Sequence, residues 1–115
     1  MGRANQARGA HGEELVARWY TARGYTVLDR NWRNGRMGEL DLVLAMQPRL
    51  VVFCEVKTRS STAFGHPFEA VSATKLERVR RLGFAWLASR ELRGVEVRID
   101  IAAVLAGAVE VMEGL

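Results

Sequence analysis

Apolar positions along this chain switch between two periods. In "GEELVARWYTARGY" (12–25), Leu15, Val16, Trp19 and Tyr20 recur at helical spacing, and Gly24 ends the pattern as a C-cap should. The residues before it, 1–10, are small and basic and read as a flexible arm. The period then drops to two. "YTVLDRNWR" (25–33) reads as a strand, "NGRMG" as a turn, and "ELDLVLA" (39–45) as a second strand. "MQPR" is a tight connection to "LVVFCEVKTR" (50–59), which favours an antiparallel hairpin. Residues 60–71 are irregular, broken by Gly65 and Pro67. Helical spacing returns with Leu76, Val79, Gly83, Trp86 and Leu87, and Thr74 with Glu77 has the spacing of a capping box at its start. "VEVRIDIAAVL" (95–105) alternates as a strand, and "GAVEVME" adds a short final one.

This order, α-β-β-β-α-β with one short strand more, predicts an α/β fold with a mixed central β-sheet flanked by helices. No repeat, low-complexity tract or linker divides it, so residues 1–115 are expected to form a single domain.

The hairpin strands carry charges among their apolar residues. Strict alternation puts Glu39, Asp41 and Val43 on one face of their strand, and Val51, Phe53, Glu55 and Lys57 on one face of the next. In the first strand the charges precede the apolar residue; in the second they follow it. An antiparallel hairpin therefore sets both apolar ends beside the turn and both charged ends away from it. A register centred on Gln47 opposes Glu55 to Glu39, and one centred on Pro48 opposes it to Asp41. Carboxylates so opposed repel one another unless something positive offsets them. A hard divalent cation beside a phosphate is one such partner, and Lys57 is another. With the cation, the chemistry suggested is phosphodiester hydrolysis. Without it, a ladder of Asp41 and Lys57 is a surface ion pair worth about 0–1 kcal/mol.

Composition narrows the choice. The net charge is +4, with seven Arg against three acids in residues 1–36 and seven Lys or Arg against three acids in 75–98. Residues 37–74 between them hold four acids against three bases. Basic flanks around an acidic centre suit a polyanion steered to a metal-bearing site. No apolar run is long enough to span a bilayer and no leader-like stretch opens the chain, so a cytoplasmic protein without membrane contact is expected. Cys54 is the sole cysteine and reads as a small buried hydrophobe.

Asp41 followed by Glu55-Val56-Lys57 on consecutive strands after an N-terminal helix resembles the PD-(D/E)XK nuclease superfamily. The likeness extends to the YraN-like family of predicted endonucleases, itself similar to archaeal Holliday junction resolvases. It is carried by "GEELVARWY" with "RGY", "RNWR", "GELDLV", "EVKTR", "FGHPFEAV", Lys75 and "RID", and covers nearly the whole chain. Leu40 stands where the superfamily name has Pro.

The resemblance implies a restriction-endonuclease-like core and an Mg²⁺- or Mn²⁺-dependent endonuclease acting on DNA, with branched or structured DNA as substrate by analogy. Asp41 and Glu55 would bind the metal, helped by the Val56 carbonyl, with Glu39 as an outer ligand and Glu13 as an additional carboxylate. Lys57 would be the catalytic lysine, and Arg33, Arg59, Lys75 and Arg98 would contact phosphates. Symmetric cutting of two strands would call for a homodimer. The rival readings are a nucleic-acid-binding module with this fold and little or no catalysis, and an interaction domain whose charged strand ends are ion pairs. For Arg98, pairing with Asp100 or Glu96 competes with phosphate contact.

Overall fold

The computed structural model describes residues 3–63 and 65–115. Helix α1 (Arg3–Thr21) is followed by strands β1 (Thr26–Arg33), β2 (Glu39–Met46) and β3 (Leu50–Arg59), helix α2 (Ala73–Ser89), and strands β4 (Glu96–Leu105) and β5 (Ala108–Met112). The strands form one sheet in chain order. Neighbours are antiparallel except β3 and β4, which run parallel from Leu50↔Glu96 to Arg59↔Leu105. A parallel pair needs a crossover, and α2 supplies it. The fold is the mixed α/β sheet flanked by helices that the sequence predicts, with the short last strand present.

Each helix covers one face of the sheet because each has one apolar stripe. Val16, Ala17 and Tyr20 of α1 pack on Leu42, Leu44, Val52, Cys54, Ala102 and Val104. On the other face Val79, Leu82, Trp86 and Leu87 of α2 pack on Leu40, Val43, Val51, Phe53 and Ile99. Gly83 allows the closest approach: a Cβ there would stand 2.5 Å from two ring carbons of Phe53. The indole N–H of Trp86 donates to Asp29 at 2.9 Å, and Arg90 meets the same carboxylate oxygen at 2.6 Å, tying α2 to β1.

Helix boundaries differ from the sequence reading in two places. Residues 3–10, expected as a flexible arm, are the first turns of α1, since the Ala, Gln and Arg among them are favourable in a helix. Met1 and Gly2 lie outside the described residues. Helix α2 starts before Thr74: Ser72, in an extended conformation, is its N-cap and accepts from the backbone N–H of Lys75 at 3.3 Å. A capping box forms instead on the one-turn 3-10 helix Pro67–Ala70, where His66 accepts from the Phe68 N–H and Glu69 accepts from the His66 N–H. Phe64, at the head of "FGHPFEAV", lies outside the described residues. At the other end of α1, Gly24 has φ +92° and the Tyr25 N–H donates to Tyr20 O at 3.1 Å, the C-terminal closure that its sequence position implied.

One buried polar group holds the C-terminal end of the chain. Asp100 is fully buried, accepts from Tyr20 Oη at 2.6 Å and from two guanidinium nitrogens of Arg98 at 2.9 Å, and also receives the Gly114 N–H at 3.1 Å. A buried carboxylate is tolerated only when satisfied in this way. Burial, then the neighbouring Cys54 and Asp100, push the Tyr20 hydroxyl's pKa far above its ordinary range, so it remains a donor.

Candidate metal centre

The β2–β3 hairpin has the register centred on Pro48, with pairs from Met46↔Leu50 to Leu42↔Cys54. Beyond Leu42 the ladder stops. Asp41 Oδ2 instead accepts from the Val56 N–H at 2.8 Å, so a side chain takes the place of the next inter-strand bond. Asn31, facing this point from β1, has φ +50° and drops out of the β1–β2 pairing between Arg30↔Leu42 and Trp32↔Leu40. Asp41 thus sits at a fork, free of ladder partners on both sides.

The fork also breaks the strict alternation expected for β2. Leu42 and Leu44 face α1, yet Leu40 packs with Val43 in the cluster against α2. Val43 therefore does not share its surroundings with the acids. Asp41 and Glu39 come together with Glu13 from α1, the three offering carboxylate oxygens that all lie within 4.8 Å of one another. Oxygens around Mg²⁺ at 2.0–2.1 Å are about 3 Å apart when adjacent and about 4.2 Å when opposed, so the three carboxylates fit a hard cation once their side chains draw closer together.

The electrostatics of the cluster agree with that fit. Asp41 is pushed up to about 7, chiefly by burial, with further upward pressure from Glu13, Glu55 and Glu39 and relief from the Val56 N–H. Glu13 is raised as well, first by burial and also by Glu39; a hydrogen bond from Asn31 and the charge of Arg30 act against this. Glu39 is paired with Arg33 at 3.0 Å. Three crowded acids, faced by the exposed Arg33 and Arg30, leave an unmet demand for positive charge.

Glu55 and Lys57 stand beside this cluster rather than within it. Glu55 raises Asp41, which places it within electrostatic reach, but its carboxylate is held by Lys57 Nζ at 3.6 Å and by Arg78 Nη2 at 3.3 Å. The side chains of Glu55 and Lys57 are 13% and 19% exposed, that of Arg78 50%. Val56 is tied to Asp41 through its backbone N–H.

The four expected phosphate contacts separate. Arg33 is at the cluster, paired with Glu39. Arg59 is exposed two residues beyond Lys57, its guanidinium donating to the Thr58 carbonyl at 2.8 Å. Lys75 lies in the first turn of α2, one turn before Arg78. Arg98 is placed differently: it pairs with Val52, five residues along β3 from Lys57 and so about 16 Å away. Its guanidinium is taken up by Asp100 and by Tyr25 Oη at 2.9 Å, and these bonds raise its pKa further. Arg98 is a structural partner of a buried acid, the cation that meets Asp100 among the described residues.

Two residues of the site escape sequence reading. Arg78 counts there only as one charge among several on the second helix; its signal is its place one turn after Lys75. Asn31 is a residue type that tolerates positive φ, set in a run of strand formers.

Sheet and site together define a class: a two-helix, five-stranded mixed α/β domain with carboxylates gathered where a hairpin forks and a lysine-glutamate pair alongside. Within that class the chain belongs to the uncharacterised protein family UPF0102, whose model matches residues 12–104. That span runs from the site-bearing half of α1 to near the end of β4. The chain is 54% identical over 112 residues to a UPF0102 protein of Beutenbergia cavernae, covering 95% of this chain and 93% of the relative. It is 48% identical to one from an Arthrobacter species over 103 residues, covering 90% and 86%. A third relative, from Streptomyces coelicolor, is 49% identical over 105 residues, covering 89% and 78%. Among the described residues no helix is long and apolar enough to cross a membrane.

Proposed function

We propose that this protein is a metal-dependent endonuclease of the PD-(D/E)XK kind, hydrolysing phosphodiester bonds in DNA. The observation that carries the reading is the fork: Asp41 is detached from its ladder and gathered with Glu13 and Glu39, with Glu55 and Lys57 at its side. Glu13, Glu39 and Asp41 would hold Mg²⁺ or Mn²⁺, with Glu55 completing the set once released from its cations. A bound ion there supplies Lewis-acid polarisation of a phosphoryl oxygen and a water of lowered pKa.

The chain's own groups supply the rest. Lys57, kept in place by Glu55, donates from its ammonium to a non-bridging phosphate oxygen or orients the attacking water, offsetting the charge that develops at phosphorus. In the reaction a water oxygen bonds to phosphorus, one bond from phosphorus to a sugar oxygen breaks, and the departing oxygen is protonated. Arg33, Arg59 and Lys75 border the site and suit the flanking phosphates of the strand. Branched or structured DNA fits the resemblance to junction resolvases, and cutting both strands calls for two copies of the site in a homodimer.

Calorimetric titration of Mg²⁺ or Mn²⁺ into the wild type and the Asp41→Asn/Glu55→Gln double variant tests this, with plasmid, linear and four-way-junction DNA assayed for cleavage. The wild type is expected to bind the ion and cut, and the double variant to lose at least about tenfold in affinity together with cleavage. Unchanged metal affinity in the double variant would remove the site. Metal binding with no cleavage of any substrate would favour a nucleic-acid-binding module that keeps the fold.

A further inference from the structure

The nearly buried Glu55 carboxylate is neutralised twice, and its two cations differ in kind. Lys57 is on the same strand and almost as buried as Glu55. Arg78 reaches in from α2 with half its side chain in solvent. Its stem passes over Gly38, where a Cβ would stand 3.9 Å from Arg78 Cδ, so the guanidinium lies beside the entry to β2. On its outer side Arg78 lines a cleft of about 530 Å³ with Met37, Ala73, Thr74, Glu77 and Arg81. That volume lies within the roughly 300–1,000 Å³ typical of ligand sites. The helix beneath it holds Lys75, Arg78, Arg80 and Arg81 against the single acid Glu77, and Glu77 is paired with Arg81 at 3.4 Å.

We infer that Arg78 is a positioning residue with two alternative partners: Glu55 in the free protein, and a backbone phosphate of a nucleic acid strand lying in the α2 cleft. This rests on the nuclease reading above. The half-exposed arginine is the partner that can leave, because half of its side chain is already in solvent, and a phosphate offers the same bidentate geometry as a carboxylate. When Arg78 turns to phosphate, Glu55 loses a competing cation and becomes available to a metal ion. Nucleic acid and metal then favour each other, and thermodynamic reciprocity requires the effect to run both ways. Couplings between sites are commonly about 5–150-fold.

The test is Mn²⁺ calorimetry on the full chain without DNA, for wild type, Arg78→Gln, Arg78→Lys and Arg80→Gln, with affinity for a fluorescent duplex measured in EDTA. Arg80 carries the same charge on the opposite side of α2, in a separate cleft with Phe84 and Val97, and so controls for net charge. Arg78→Gln is expected to bind Mn²⁺ at least about fivefold more tightly than Arg80→Gln and to bind the duplex more weakly. Arg78→Lys should lie between wild type and Arg78→Gln in both. Mn²⁺ affinity in Arg78→Gln equal to or below that of Arg80→Gln, in a wild type that does bind Mn²⁺, overturns the switch and leaves the metal site standing. A wild type with no Mn²⁺ affinity overturns both.

Discussion

Asp41 is the residue under most electrostatic strain, and pH exposes it. Its folded-state pKa of about 7 lies above the ordinary 3.8, so between those values the folded chain holds a proton that the unfolded chain has released. Stability from this group therefore falls as pH rises across that window and levels off above about 7. Thermal unfolding in EDTA should show Asp41→Asn gaining on the wild type between pH 5 and pH 8; parallel curves would count against the shift. A metal ion competes with the same proton, so Mn²⁺ affinity should climb with pH up to about 7 and then flatten. Asp100, by contrast, is a buried acid whose hydrogen-bond partners are complete. Asp100→Ala leaves the Tyr20 hydroxyl and the Gly114 N–H without their acceptor, takes from Arg98 the carboxylate that binds two of its nitrogens, and is expected to cost about 3–5 kcal/mol in urea unfolding. Tyr20→Phe, which removes only one of the several donors to Asp100, should cost about 1–3 kcal/mol.

At the scale of elements, the glycines of the two helices separate intrinsic helix propensity from packing. Ala in place of a helical Gly gains up to about 1 kcal/mol where nothing is in the way. Gly9 of α1 has, among the described residues, no heavy atom within 4 Å of a Cβ, whereas a Cβ on Gly83 of α2 would overlap the Phe53 ring. Gly9→Ala is therefore expected to raise stability by about 0.5–1 kcal/mol, and Gly83→Ala to lower it by about 1–3 kcal/mol. A gain in both would mean that α2 is free to move off β3. The period of each element was legible in the residues, since Val16, Tyr20, Val79 and Trp86 have one side to bury and can do so only at helical spacing. The start of α2 was less so: Ser72 and Thr74 are both competent caps, and backbone conformation at Ser72 decides between them.

For the molecule as a whole, the charge of +4 is spread as basic segments around an acidic fork. DNA affinity should accordingly fall steeply with salt, by about 0.9 in log K per log unit of salt for each phosphate neutralised. Arg59→Gln and Lys75→Gln should each reduce the slope of that plot by about one, while Arg98→Gln, whose charge is spent on Asp100, should leave it unchanged and lower stability instead. A salt-independent affinity would exclude phosphate contact as the basis of binding.

The amino-acid sequence by itself determined the element order, the two apolar helix stripes, the hairpin and the meeting of its charged ends, because periodicity and alternation are local properties of a chain. It could not choose between the Gln47 and Pro48 registers, which satisfy the same alternation. Only the tertiary structure decided that β2 forks at Asp41, that Glu13 crosses from α1 to join Glu39 there, and that Arg78 rather than a metal-facing group holds the free edge of Glu55. These depend on where α1 and α2 come to rest on opposite faces of the sheet. That placement is set by contacts between residues remote in sequence, and no spacing along the chain records it.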